Sequence, residues 1–134
     1  MFLEIVIKDF SEQAVRNRVV FCRTGLDEIQ FVNVGLEMAR LLNDHTNESD
    51  GFDILQSQVL SKSNHHNKIG KYLALENIGI LFEPELKLNI RSIFDNYSKD
   101  QCLIVKTEAE IKDDKLYQGD FIAVDLKGIS YIVL

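Results

Sequence analysis

The centre of the chain restricts its fold more than any other part. Tyr72 to Leu75 is an unbroken apolar run leading into Glu76-Asn77. Asn89 then precedes Ile90, Ile93, Phe94 and Tyr97, which stand at i, i+3, i+4 and i+7 on one helical face, with the asparagine placed to cap it. Cys102 to Lys106 (Cys-Leu-Ile-Val-Lys) is a second apolar run. Short apolar runs bounded by polar residues read as strands buried on both faces, the kind that parallel sheets contain. Strand, helix, strand therefore predicts a parallel crossover and an α/β domain. Between the first strand and the helix, Pro84 suits the first turn of a short helical segment.

The flanks follow from the same periodicities. Phe2 to Ile7 predicts a strand, and Asp9 to Asn17 a short helix in which Asp9 and Glu12 have the spacing of a capping box. Arg18 to Arg23 is a β-branched strand and Ile29 to Val34 another. Gly35 to Asn43 predicts a helix with Met38, Leu41 and Leu42 on one face, and Phe52, Leu55 and Val59 a third. Asn43 to Gly51 and Ser61 to Lys71 are polar and read as surface loops. Phe121 to Leu126 and Ile129 to Leu134 predict two strands joined in a hairpin at Lys127-Gly128. The expected fold is one small, three-layer-like α/β domain over residues 1–134, ending in a C-terminal β-hairpin.

Length and charge narrow the function classes. A chain of 134 residues is long enough for one domain with a core. A formal net charge of −6 gives no broad attraction for nucleic acid, so direct nucleic-acid binding is not expected. Arg16, Arg18 and Arg23 lie close together in sequence and read as solvated charges beside a strand. No apolar run approaches the roughly 20 residues that cross a bilayer, and Met1-Phe2-Leu3-Glu4 lacks the start of a signal peptide. Cys22 and Cys102 sit in predicted strands and read as buried free thiols in a reducing, cytoplasmic setting.

Chemistry is tested motif by motif. A phosphate-binding loop needs G-x-x-x-x-G-K-[ST], because its glycines let backbone N–H groups wrap the phosphates and its lysine and hydroxyl complete the site. The only Gly-Lys pair is Gly70-Lys71, with His65 in place of the first glycine and Tyr72 in place of the hydroxyl. After the Arg18–Arg23 strand, Thr24-Gly25-Leu26-Asp27 has one glycine and no lysine. Glu76 stands where a Walker B acid would hold magnesium, but without the loop it has nothing to complement. His45, His65 and His66, with Asp50 and Asp53, match no zinc spacing, so no metal or other cofactor is expected. Asp120, Asp125 and Lys127 resemble the acid and Asp-x-Lys elements of PD-(D/E)xK nucleases, with Asp113 or Asp114 as a substitute first acid at longer range. Residues 120 and 125 differ by an odd number, so on a regular strand they face opposite sides. A plain hairpin with charged edges is the favoured reading.

Two segments resemble a known family. Phe31-Val-Asn-Val-Gly-Leu-Glu-Met-Ala-Arg-Leu-Leu42 is one; Leu73-Ala-Leu-Glu-Asn-Ile-Gly-Ile-Leu-Phe-Glu-Pro-Glu-Leu-Lys-Leu-Asn89, continuing through Ser92-Ile-Phe94 and Ser98 to Leu103-Ile-Val105, is the other. They look like the small P-loop BrxF family of type 3 BREX systems, bacterial defences against phage. That family has a phosphate loop and its helix before the Asn-Val-Gly-Leu segment, where this chain has only Thr24 to Gln30. The family's Asp is Glu76 here. The resemblance implies a degenerate P-loop scaffold whose ATP-dependent role is lost and whose assembly with larger defence proteins is kept. Glu76, Asn77, Glu83, Pro84, Glu85 and Lys87 become the candidate interaction residues. Arg18–Arg23 and Ile29–Val34 are too close in sequence for a parallel crossover, so they are expected to be antiparallel neighbours or not adjacent, in a mixed sheet. The alternatives are a minimal metal-dependent nuclease at the C-terminal hairpin and a homodimer pairing Ile129–Leu134 across subunits.

Overall fold

The computed structural model describes residues 2–13, 15–43 and 51–134. The predicted central unit is present. Strand β4 (Gly70–Glu76) runs through two short 3-10 turns, Gly79–Phe82 and Pro84–Leu86, to helix α4 (Ile90–Asn96) and then to β5 (Cys102–Lys106), parallel to β4. Asn89 caps α4 by accepting the Ser92 N–H at 3.0 Å, and Ile90, Ile93 and Phe94 are the buried face. On the other side of β5 lies β1 (Val19–Cys22), also parallel, with all four residues buried. The outer neighbour of β1 is β9 (Tyr131–Val133), again parallel. At the opposite edge the two-residue β2 (Val32–Asn33) pairs with the end of β4, giving the order β2-β4-β5-β1-β9. The sheet is mixed because β3 (Asn64–His66) pairs antiparallel with the start of β4.

Strand β3 falls in a stretch read from sequence as loop. Polar residues hide a strand that covers only the edge of β4. Strands β1 and β2 are not adjacent, the second of the two outcomes anticipated. They are nonetheless parallel, with only residues 23–31 between them. Register explains how so short a link suffices. Val32 is level with Leu75, Val105 and Phe21 across the sheet, so the chain enters β2 almost where it left β1. No return along the strand length is needed, and a parallel crossover is long only when that return is made.

Alternation along the strands divides the core. Val19, Phe21, Leu73, Leu75, Leu103 and Val105 point to one face, packed by α2 (Val34–Asn43), by α3 (Gly51–Leu55) with its π-helical continuation Gln56–Leu60, and by α4. Val20, Cys22, Tyr72, Ala74, Cys102 and Ile104 point to the other. That face is covered by α1 (Phe2–Ser11) through Ile7 and Phe10, and by Leu26, Ile29 and Phe31 of the β1–β2 link. The expected strand Phe2–Ile7 is therefore a helix. A short apolar run has no decisive period, and the exposed apolar face of the sheet selects the conformation that lays Ile7 and Phe10 on it. Asp9 lies inside α1 and Glu12 pairs with Lys8 at 2.9 Å, so these acids form no capping box. Met38 is buried as anticipated; the side chains of Leu41 and Leu42, and the loop residues 44–50 with His45 and Asp50, lie outside the described residues.

The C-terminal antiparallel unit is three-stranded: β6 (Ile111–Lys112), β7 (Lys115–Gln118) and β8 (Phe121–Asp125). Its main hairpin is β7–β8, turning at Gly119-Asp120, whereas 121–126 and 129–134 do not pair. The turn at Lys127-Gly128 instead carries the chain from β8 into β9 of the parallel sheet. Leu116, Val124, Leu126 and Ile129 join the main core from this unit. The Tyr131 hydroxyl donates to Asp114 Oδ1 at 2.8 Å, linking the two sheets. Burial first, and then Asp114, push that phenol's pKa up.

Candidate functional site

Sheets of this kind bind ligands beyond the carboxyl ends of their strands. Here those ends form a cleft of about 330 Å³ lined by Arg23, Glu76, Asn77, Lys106, Thr107 and Gln118, among others. Glu76 ends β4 and Lys106 ends the neighbouring β5, which sets Lys106 Nζ 3.8 Å from Glu76 Oε1. Arg23, just past β1, is exposed and has no ion-pair partner among the described residues. Cys22 lies beneath, buried, with its thiol pushed up to about 11 by burial, against a smaller pull from Lys106. It is a protonated thiol at neutral pH and no nucleophile.

The segment where a phosphate loop would begin is fastened down. Ile29 is buried, and the Gln30 N–H donates to the Tyr72 hydroxyl at 3.1 Å. Buried His66 accepts the Lys68 and Ile69 N–H groups at Nδ1, which leaves its proton on Nε2, 3.2 Å from Glu28 Oε2. Glu28 itself has φ +65°. These contacts turn the link towards the sheet. The cleft above is lined by side chains of opposite charge, Arg23 and Lys106 with Glu76 and Glu108.

The two quoted segments meet at this cleft. Asn33 Oδ1 accepts both the Leu36 N–H that opens α2, at 2.9 Å, and the Asn77 side-chain amide, at 2.8 Å. The Asn77 carbonyl accepts the Gly35 N–H at 2.9 Å. A Cβ on Gly35 would stand 2.4 Å from Asn77 Nδ2, so a larger residue here would displace the Asn77 side chain from Asn33. Asn77 is thus a structural clasp with one exposed edge. Glu83, Pro84 and Glu85 are exposed on the following 3-10 turn, which ends at Lys87 with φ +52°. Leu86 and Leu88 pack beneath them against the core.

Beside that turn runs a second groove, of about 400 Å³, between Phe82, Pro84 and Leu88 on one side and Phe121, Ile122 and Ala123 of β8 on the other. Phe121 is 78% and Ile122 54% exposed. The sequence reading missed this groove, because an apolar strand residue carries no sign of whether its sheet is covered. It also missed Arg23, Lys106 and Thr107 as a cluster, although all three directly end or follow predicted inner strands.

The nuclease residues are not assembled. Asp120 is in the β7–β8 turn and Asp125 ends β8, about 15 Å further along an extended strand. Asp125 Oδ1 accepts the Lys127 N–H at 3.0 Å, and Asp114 is held by Tyr131. No group of three metal-ligating side chains occurs among the described residues. Among them, too, no helix is long and apolar enough to cross a membrane. The chain matches no protein-family model, no curated protein and no solved structure.

Proposed function

We propose that this chain is a non-catalytic interaction subunit on a degenerate P-loop-like scaffold, working in the cytoplasm within a bacterial phage-defence assembly of the BREX kind. The observation that carries the non-catalytic part is the link after β1. It has one glycine, Gly25, no lysine, and is tied to the sheet through Glu28–His66 and Gln30–Tyr72. Phosphates need converging backbone N–H groups and a lysine at that place. The defence part rests on the two segments that meet in the Asn33–Gly35–Asn77 clasp. The clasp fixes the path from Glu76 into the turn that displays Glu83, Pro84, Glu85 and Lys87 as a contact surface.

Two measurements test it. Magnesium with ATP or GTP at millimolar concentration is expected to leave the melting temperature unchanged, since binding to the native state alone would raise it. Affinity capture of the tagged chain from its native host is expected to recover a larger defence protein, such as a helicase, methyltransferase or phosphatase-like subunit. Magnesium-dependent nucleotide hydrolysis by the purified chain, lost in Glu76→Gln, overturns the non-catalytic reading. Cation-dependent DNA cleavage lost in Asp125→Ala overturns it in favour of a nuclease.

A further inference from the structure

We infer that the cleft at the carboxyl ends of β1, β5 and β4 binds a small zwitterion of amino-acid type, its carboxylate held by Arg23 and its ammonium by Glu76 and Glu108. The site goes beyond the interaction-subunit reading and does not depend on it. Its place follows from how the chain leaves two neighbouring strands. After β1, Leu26, Ile29 and Phe31 pack on the sheet face that α1 covers. After β5, the parallel neighbour of β1, Ala109 and Ile111 pack with the opposite core. A crevice opens where adjacent parallel strands send their chains to opposite faces, and open α/β sheets bind ligands in such crevices. The Thr107 N–H donates to the Cys22 carbonyl at 2.8 Å, which fixes Arg23 and Thr107 beside each other at this divergence. Glu76 follows on β4, one residue past the Leu75–Val105 pair, as Lys106 does on β5.

Charge selects the ligand. Arg23 and Lys106 line the cleft against Glu76 and Glu108, two of each sign. A lining without net charge suits a ligand that carries both signs, and a phosphate dianion would face two carboxylates. None of the four is saturated by its neighbours. Arg23 and Glu108 are exposed and have no ion-pair partner among the described residues. Lys106 Nζ and Glu76 Oε1, at 3.8 Å, stand beyond hydrogen-bond distance, so each keeps bonds to offer. The planar fork of Arg23 matches a carboxylate through two parallel N–H bonds. Thr107 Oγ1 accepts the Ala109 N–H at 3.1 Å, and its own proton is left to donate. Ile78 and Phe82 give an apolar wall for a short carbon skeleton. The volume, about 330 Å³, lies at the small end of ligand sites and suits one amino acid.

Titration of the full chain, followed by amide resonances, tests the site. The probes are alanine, glutamine and 4-aminobutanoate, with acetate, butylamine and inorganic phosphate as contrasts. At least one zwitterion is expected to shift the amides of Arg23, Asn77 and Thr107 saturably, and the three probes separate an α- from an ω-amino acid. Acetate and butylamine, each carrying half of the ligand's charge, should bind about tenfold more weakly or worse. Arg23→Gln, at an exposed position, should weaken the zwitterion by about tenfold or more. Glu76→Gln with Glu108→Gln should weaken it similarly while leaving acetate unaffected or tighter. Four results overturn the proposal: no saturable shift from any zwitterion up to about 10 mM, unchanged affinity in Arg23→Gln, shifts away from the cleft, or phosphate binding as tightly as the best zwitterion.

Discussion

At Gly35 a neighbouring side chain leaves no room for a methyl group: Asn77 Nδ2 stands 2.4 Å from where the Cβ would be. Gly35→Ala must turn the exposed Asn77 side chain off Asn33, and with that lost bond set against alanine's better helix propensity the net change in urea unfolding is expected to stay within about 1 kcal/mol. Asn77→Gly vacates the space and suits the backbone at φ +54°. The double variant should therefore be more stable than the sum of the two single changes predicts; strict additivity would show that the close approach is not the cause. Cys22 and Cys102 give a pH signature. Burial pushes their thiols up to about 11 and about 12 from the ordinary 9.0. Above pH 9 the unfolded chain loses these protons first, so unfolding becomes easier as pH rises. The stability they contribute is complete below pH 9 and should fall between there and pH 11–12, with a shallower fall in the double Cys→Ala variant. Both thiols were legible in the sequence, because a cysteine inside an apolar strand has few fates. Asn77 was legible as a position but not as a clasp, since its partners Asn33 and Gly35 lie more than forty residues away.

Helix α1 shows how an element is decided by what it covers. Its residues were read as a strand, and a free peptide of this length has little helical stability of its own. Ile7 and Phe10 bury against the β1 and β5 side chains of the second sheet face, and this packing holds the helix. Phe10→Ala is expected to destabilise the protein by about 3 kcal/mol and to open that face to a fluorescent apolar dye. A loss under about 1 kcal/mol would mean that α1 is not an integral layer. The central elements were read correctly because each carries its own signal: β4 and β5 are apolar throughout, and α4 has both a cap and a period. Strand β2 shrank from the expected six residues to Val32–Asn33, since Ile29 and Phe31 pack on the sheet face instead of pairing.

Among the described residues the antiparallel unit and one face of the parallel sheet share a core. Leu116, Val124, Leu126 and Ile129 join the antiparallel unit to the main core, and Tyr131–Asp114 ties the sheets from β9. Tyr131→Phe removes that bond while keeping the ring contact with Phe21. Amide exchange in β6–β8 should quicken while β4 and β5 keep their protection; equal quickening everywhere would show that the two sheets open as one unit. The amino-acid sequence by itself determined the α/β class, the parallel β4–α4–β5 crossover, the buried thiols and the missing phosphate loop, because periodicity, caps and demanding motifs are local properties. Only the tertiary structure decided that α1 is a helix, that residues 23–31 span three strand spacings without one, that β9 joins the parallel sheet instead of pairing with β8, and that the two separated segments meet at Gly35. Those outcomes depend on which apolar face needs cover and which strand ends stand level, and such relations exist only once the chain has closed on itself.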